Sequence, residues 1–208
     1  MEVRTKRLVL REFTLADIPA MEAYHANADY KRFLPWEEAT HADAQTIITR
    51  CVAMAHENPR HSYQFAITLH DGTIVGSTGL RSSPHHKYEA HFACELDPAH
   101  WGRGYGSESC HAIVDFGFKT LGLHRIYSQV IAENRAAVRM MVAVGMQREG
   151  LFRENRHFNG HWWDTLSYGI LARDWKGIPE DAHKKLTHVP FQGWQSDSDS
   201  SVNNSQDK

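Results

Sequence analysis

Hydrophobic and polar positions follow two rhythms along the chain, and each change of rhythm predicts an element. Arg7-Leu8-Val9-Leu10-Arg11-Glu12-Phe13 alternates as a strand. Thr14 then opens a helix, with Asp17 three residues on in the relation of a capping box. A second helix is predicted from Thr40, with Asp43 in the same relation and an apolar face of Ala44, Ile47, Ile48, Cys51 and Ala55. Between them, residues 30–38 carry Phe33, Leu34, Pro35 and Trp36 and read as a loop or broken helix with exposed aromatics. Residues 63–69 and 73–80 are predicted strands joined at Asp71-Gly72, a two-residue hairpin signal. A polar loop over 81–88 leads to a fourth strand at 91–96. A helix from Tyr105 to about Leu121, a strand at 124–131 and a short helix at 134–144 closed by Gly145 come next. Two last strands, about 146–158 and 161–171, meet at Asn159-Gly160. This order implies an α/β chain with a mixed sheet and helices on its faces.

The junction between the fourth strand and the third helix carries the densest chemistry. It reads Leu96-Asp97-Pro98-Ala99-His100-Trp101-Gly102-Arg103-Gly104-Tyr105-Gly106-Ser107-Glu108-Ser109. Pro98 breaks the strand, and glycines follow at alternate positions before the helical pattern begins. Glycine lets the backbone take positive φ and come close to a ligand. The N–H groups that follow lie at the positive end of a helix dipole. Such a bend either cradles an anion, most often a phosphate, or simply turns the chain from strand to helix. It lacks the Gly-Lys-Ser/Thr of a nucleoside-triphosphate loop and the Gly-x-Gly-x-x-Gly spacing of a dinucleotide fold, so both of those enzyme classes fit poorly.

Composition narrows the partners. The 208 residues suit one domain, and 41% of them are hydrophobic, enough for a substantial core. A formal net charge of −2 supplies no basic field for nucleic acid. No stretch approaches the roughly 20 apolar residues of a membrane span, and the first six residues lack an apolar signal core. Cys51, Cys94 and Cys110 are odd in number, widely spaced and set in apolar surroundings, which fits free thiols packed in a cytoplasmic protein. Fifteen histidines raise the question of zinc, but His85-His86 is adjacent and no paired cysteines or helical His-x-x-x-His occur, so no metal is expected. The pattern fades from Lys176, and residues 196–208 are polar, acidic and serine-rich. The expected organisation is therefore a domain over 1–175 and an extension over 176–208, disordered from about 196.

Four stretches, in order, carry a likeness to a known family. They are Thr5-Lys6-Arg7-Leu8-Val9-Leu10-Arg11, the glycine junction, Glu133-Asn134-Arg135-Ala136-Ala137-Val138-Arg139 leading to Val144-Gly145-Met146, and Asp164-Thr165-Leu166-Ser167-Tyr168-Gly169-Ile170-Leu171 with Asp174-Trp175. Together, over about residues 5–175, they resemble the GNAT superfamily of acetyl-CoA-dependent N-acetyltransferases, and within it the Rim-type ribosomal-protein N-terminal acetyltransferases. The resemblance implies a mostly antiparallel, seven-stranded mixed sheet in which one strand pair splays apart to hold acetyl-CoA. It implies transfer of an acetyl group to a primary amine, on a protein N-terminus or a small molecule.

Mapped residue by residue, the likeness makes Gly102, Arg103, Gly104, Tyr105, Gly106 and Ser107 the cofactor loop, with the diphosphate on backbone N–H groups from Arg103 to Ser107. Trp101 stands where the family usually has Gln or Arg. The pantetheine arm would pair as a strand with backbone near Glu95 and Leu96. Asn134 matches the family asparagine on that arm, and is equally a helix N-cap. Arg139 either approaches the nucleotide phosphates or faces solvent. His91 and Glu95, four apart on one strand and so on one face, are the candidate catalytic bases; either also reads as a structural side chain. Trp36, Trp163 and Asp164 would flank the acceptor groove, with Asp164 reading equally as a capping aspartate. Family members often carry a tyrosine where this chain has Met141, or a serine where it has Ala137. Tyr127, Ser128, a water, or no dedicated acid would then serve the leaving thiolate. Those two losses also fit a non-catalytic acyl-CoA sensor, and a homodimer stands as a candidate assembly.

Overall fold

The computed structural model describes residues 1–34 and 43–182. Its strands are β1 (Glu2–Arg4), β2 (Leu8–Glu12), β3 (Ser62–Leu69), β4 (Ile74–Arg81), β5 (Glu89–Leu96), β6 (Arg125–Ile131), β7 (Gln147–Phe158) and β8 (His161–Leu171). They form one sheet of eight strands in the order β1-β2-β3-β4-β5-β6-β8-β7. The expected count of seven is thereby corrected. The additional strand, β1, is only three residues long, too short for alternation to betray it, and exists by pairing Val3 with Leu10.

The helices are α1 (Ile18–His25), α2 (Ala28–Lys31), α3 (Ala44–Ala55), α4 (Tyr105–Lys119) and α5 (Arg135–Ala143). The Thr14 N–H donates to Asp17 Oδ2 at 2.8 Å, as a capping box requires, but a 3-10 turn at Leu15–Asp17 precedes α1. Asp43 is the N-cap of α3 itself, its carboxylate accepting from Thr46 N at 2.7 Å. The helix therefore starts at Ala44, and the predicted start at Thr40 lies outside the described residues.

Alternation along the strands divides the apolar residues between two cores. Phe65, Ile67, Leu80, Phe92 and Ile126 join Ile113 and Phe116 of α4 and Val138 and Met141 of α5. Ala66 and Phe13 face the other way, onto Met21, Tyr24, Ile48 and Cys51 of α1 and α3. Phe65 and Phe92 are fully buried, each burial stabilising the fold by roughly 1.5–3 kcal/mol. The sheet is thus covered on both faces, as expected.

Every neighbouring pair is antiparallel except β5 and β6. Those two share three parallel bridges, ending at His91↔Tyr127. Beyond them β5 stays with β4 as far as Leu96↔Gly76, while β6 stays with β8 as far as Ile131↔Thr165. The sheet therefore parts at its centre. At its outer margin the register of β7 shifts between Phe152 and Arg156, around a positive φ of 47° at Glu154.

Candidate active site

Local chemistry builds the bend at the end of β5. The Asp97 N–H donates to Val75 O at 2.9 Å, which keeps the strand on β4 to its last residue. Asp97 Oδ1 then accepts from Ala99 N at 2.9 Å and starts a 3-10 turn over Pro98–His100. Gly102 and Gly104 take positive φ of 72° and 81°, and Gly104 is the N-cap of α4. Gly106 has a different reason. A Cβ there would lie 2.7 Å from Met140 Sδ, so its absence lets α4 lie tight against α5. The Trp101 indole N–H donates to the Leu96 carbonyl at 2.9 Å, fastening the loop to the strand end.

The opening Thr5–Arg7 stretch, known from the sequence only as part of a likeness, clasps this bend. Glu108, in the first turn of α4, is buried and accepts from Thr5 Oγ1 at 2.6 Å, Arg7 N at 2.9 Å and Arg7 Nε at 2.7 Å. Arg7 Nη1 donates to the Arg103 carbonyl at 2.9 Å, and its guanidinium lies 4.7 Å over the Tyr105 ring. Burial pushes the Glu108 carboxyl up, but the hydrogen bonds from Thr5 and Arg7 outweigh it and hold the group below its ordinary range.

Beside the bend, the parting of β5 and β6 opens into a cleft of about 500 Å³. Backbone hydrogen bonds alternate along an antiparallel strand. With Asp97 bonded to β4, the N–H and C=O of Cys94 and Leu96 turn away from β4, towards the side that β6 has left. That side of β5 is an extended, amide-rich edge within the molecule.

His91 and Glu95 both line the cleft, as their spacing on one strand face requires. Burial first, and then the charge of Arg81, lower the His91 pKa from 6.5, so the imidazole is neutral at pH 7. Its ring meets Tyr127 edge-on with centroids 5.5 Å apart. Glu95 sits in a shell of donors that no local pattern announces. Tyr24 Oη and Ser77 Oγ each donate to Oε1 at 2.9 Å, Tyr30 donates to Oε2, and His25 Nε2 lies 3.6 Å from Oε1. Burial raises this carboxyl's pKa, yet the bonds from His25, Tyr30 and Tyr24 prevail and keep it low. Both tyrosine hydroxyls are pushed far up, by burial and by the same carboxylate, and stay protonated donors.

The other predicted site residues divide. Asn134 lines the cleft, but its Oδ1 accepts from Ala137 N at 3.1 Å, so the capping role is realised. Met141 and Ala137 also line the cleft, and neither carries a hydroxyl. Arg139 is exposed on α5 and is not brought to the cleft. Trp163 packs behind the wall, stacked on Phe158 at 5.3 Å and edge-on to Phe33 at 5.7 Å, with its N–H on the Phe158 carbonyl. Asp164 Oδ1 accepts from Glu154 N at 2.7 Å and so secures the bulge in β7. Trp36 lies outside the described residues. Sequence reasoning missed Thr165, whose buried hydroxyl lines the cleft with no hydrogen-bond partner. Nothing in its local sequence signals this; its place opposite Ile131 does.

Residues 7–147 match the acetyltransferase (GNAT) domain family. The chain belongs to the GNAT acetyltransferase family. It is an N-acetyltransferase, moving an acetyl group to an amine, and GNAT acetyltransferases draw that group from acetyl-CoA. Among its relatives is the uncharacterized N-acetyltransferase YnaD of Bacillus subtilis (strain 168), 30% identical over 177 residues, or 84% of this chain and 99% of YnaD. The crystal structure of a GNAT-family acetyltransferase from Bacillus anthracis is similar with a TM-score of 0.71 and 26% identity, over 83% of this chain and 99% of that one. In fold, a spermidine N-acetyltransferase from Vibrio cholerae, solved with CoA and spermine, is similar at a TM-score of 0.70 and 22% identity, over 82% and 98% of the two chains. The Rim-type branch is not singled out by these relatives.

The residues present fit coenzyme A. Two positive-φ glycines and the start of α4 offer backbone N–H groups to a diphosphate. The turned-out N–H and C=O of Cys94 and the N–H of Leu96 offer partners to a pantetheine arm. Among the described residues no cluster of metal-ligating side chains occurs, and no helix is long and apolar enough to cross a membrane.

Proposed function

We propose that the acceptor is the α-amine of a polypeptide N-terminus, as in the Rim-type enzymes, and that His91 is the base that serves it. The observation that carries this reading is the charge of the cleft. Arg50, Arg81 and Arg156 line it, and its one described carboxylate is Glu95. That carboxylate is already engaged by three hydroxyls and His25. Such a wall disfavours a polycation like spermidine and admits a peptide end.

Proton affinity supports the same choice. An α-amine has a pKa of roughly 7.7–8.0 and is partly neutral at physiological pH, whereas an alkylamine near 10.4 needs a strong base. His91, its basicity lowered by burial, is matched to the first task and not to the second. In this reading acetyl-CoA supplies an activated acetyl thioester. The backbone at residues 103–107 holds its diphosphate, the Cys94 amide holds its arm, and the Leu96 N–H donates to the thioester carbonyl oxygen. The Thr165 hydroxyl is the partner for the incoming nitrogen. No proton donor is needed at Met141 or Ala137, because a thiolate leaves readily.

A coupled thiol-release assay with acetyl-CoA tests the proposal. Peptides with free N-termini should turn over at least tenfold faster than the same peptides blocked, and faster than spermidine. Spermidine turnover equal to or above that of every free peptide would overturn it.

A further inference from the structure

The α4 start that is offered to a diphosphate carries a buried negative charge of its own. Glu108 sits one helical turn into α4, 4% exposed, with its carboxylate beside the bend. An unpaired carboxylate there would repel the phosphates that the N–H groups attract. Its countercharge does not come from α4 or from the loop. It comes from Arg7, 101 residues away, which also reaches the Arg103 carbonyl through Nη1.

We propose that Arg7 is a positioning residue for coenzyme A: by pairing with Glu108 it cancels the negative charge in the first turn of α4, beside the bend. The inference rests on the reading that the bend receives the cofactor's diphosphate. Thr5 completes the clasp with its 2.6 Å bond to the same carboxylate. The Thr5-Lys6-Arg7-Leu8 stretch thus has a task beyond starting a strand. It makes the anion cradle electrically competent from a distant part of the chain.

The test is calorimetric binding of CoA, and of pantetheine, which lacks the diphosphate. It uses the full chain, Arg7→Met, Glu108→Gln and the double variant, each checked by thermal unfolding. Arg7→Met should weaken CoA binding at least tenfold and leave pantetheine binding within threefold. Glu108→Gln, which leaves Arg7 in place, should bind CoA at least as tightly as the parent and pantetheine within threefold of it. Adding Glu108→Gln to Arg7→Met should restore CoA binding to within threefold, because no charge then remains to be cancelled. A double variant as weak as Arg7→Met, or an equal loss for pantetheine, would overturn the inference and leave Arg7 a fold-stabilising residue. If Arg7→Met does not fold, the double variant decides alone: binding within threefold supports the clasp, and a tenfold loss refutes it. Failure of the parent protein to bind CoA would instead refute the cradle itself.

Discussion

Gly104 and Gly122 offer a matched pair for testing whether the bend is a ligand cradle or only a turn. Both sit in the left-handed region, at φ of 81° and 64°. An alanine in that region costs roughly 1–2 kcal/mol through its Cβ and the following carbonyl. At Gly122 a Cβ meets nothing within 4 Å, so Gly122→Ala should show that backbone penalty alone. For a domain of this size each kcal/mol lowers Tm by about 2–4 °C. Both variants should therefore melt about 2–8 °C below the parent in differential scanning calorimetry. Only Gly104→Ala strains the N-cap of α4, where the N–H groups converge. Its Kd for CoA should rise at least tenfold, and that of Gly122→Ala should not move. Equal CoA affinity in the two variants, with equal loss of Tm, would show that the bend is a turn and nothing more.

Three further outcomes follow from the described contacts. His91→Gln should lower kcat/KM by about 10²–10⁴, and the parent's acid limb, read from a pH–rate profile, should have its midpoint below 6.5 because burial depresses His91. Tyr24→Phe removes a 2.9 Å bond to a carboxylate and should cost about 1.5–3 kcal/mol in urea unfolding, with a larger loss when Tyr30→Phe is added. Asp17 and Glu108 both titrate below their ordinary range, Asp17 because the Arg11 and Thr14 bonds outweigh burial. Their stabilisation is therefore full above about pH 4.3 and fades as pH falls through the lower folded values. Asp17→Asn and Glu108→Gln should flatten the acid side of a stability–pH curve measured by urea titration.

Legibility followed the range of the interactions. Both hairpins were readable because Asp71-Gly72 and Asn159-Gly160 encode their turns within two residues, and Gly72, Asn159 and Gly160 all take positive φ. The common face of His91 and Glu95 was readable because alternation fixes it. The strand β1 was not, since it exists only against Leu10 and its neighbours. Nor was α2, a single turn whose cap is the Asn27 side chain on Asp29 N. The environment of Glu95 was invisible for the same reason at larger scale. Its donors Tyr24 and Tyr30 stand 71 and 65 residues before it, and only tertiary packing brings them in. Asp164 shows the converse case: its type suited an ammonium or a local cap, and the cap is the contact seen, with Glu154 N donating to its carboxylate across the bulge.

Sheet margins are where proteins ordinarily run the risk of unwanted strand pairing. Here the parting of β5 from β6 puts a second margin at the heart of the molecule, roofed by α5 and walled by the two halves of the sheet. That inner margin is enclosed, and only a chain that enters the cleft of about 500 Å³ can pair with it. Topology alone thus sorts visitors before any side chain is consulted, and the sheet can keep a sticky edge without inviting aggregation.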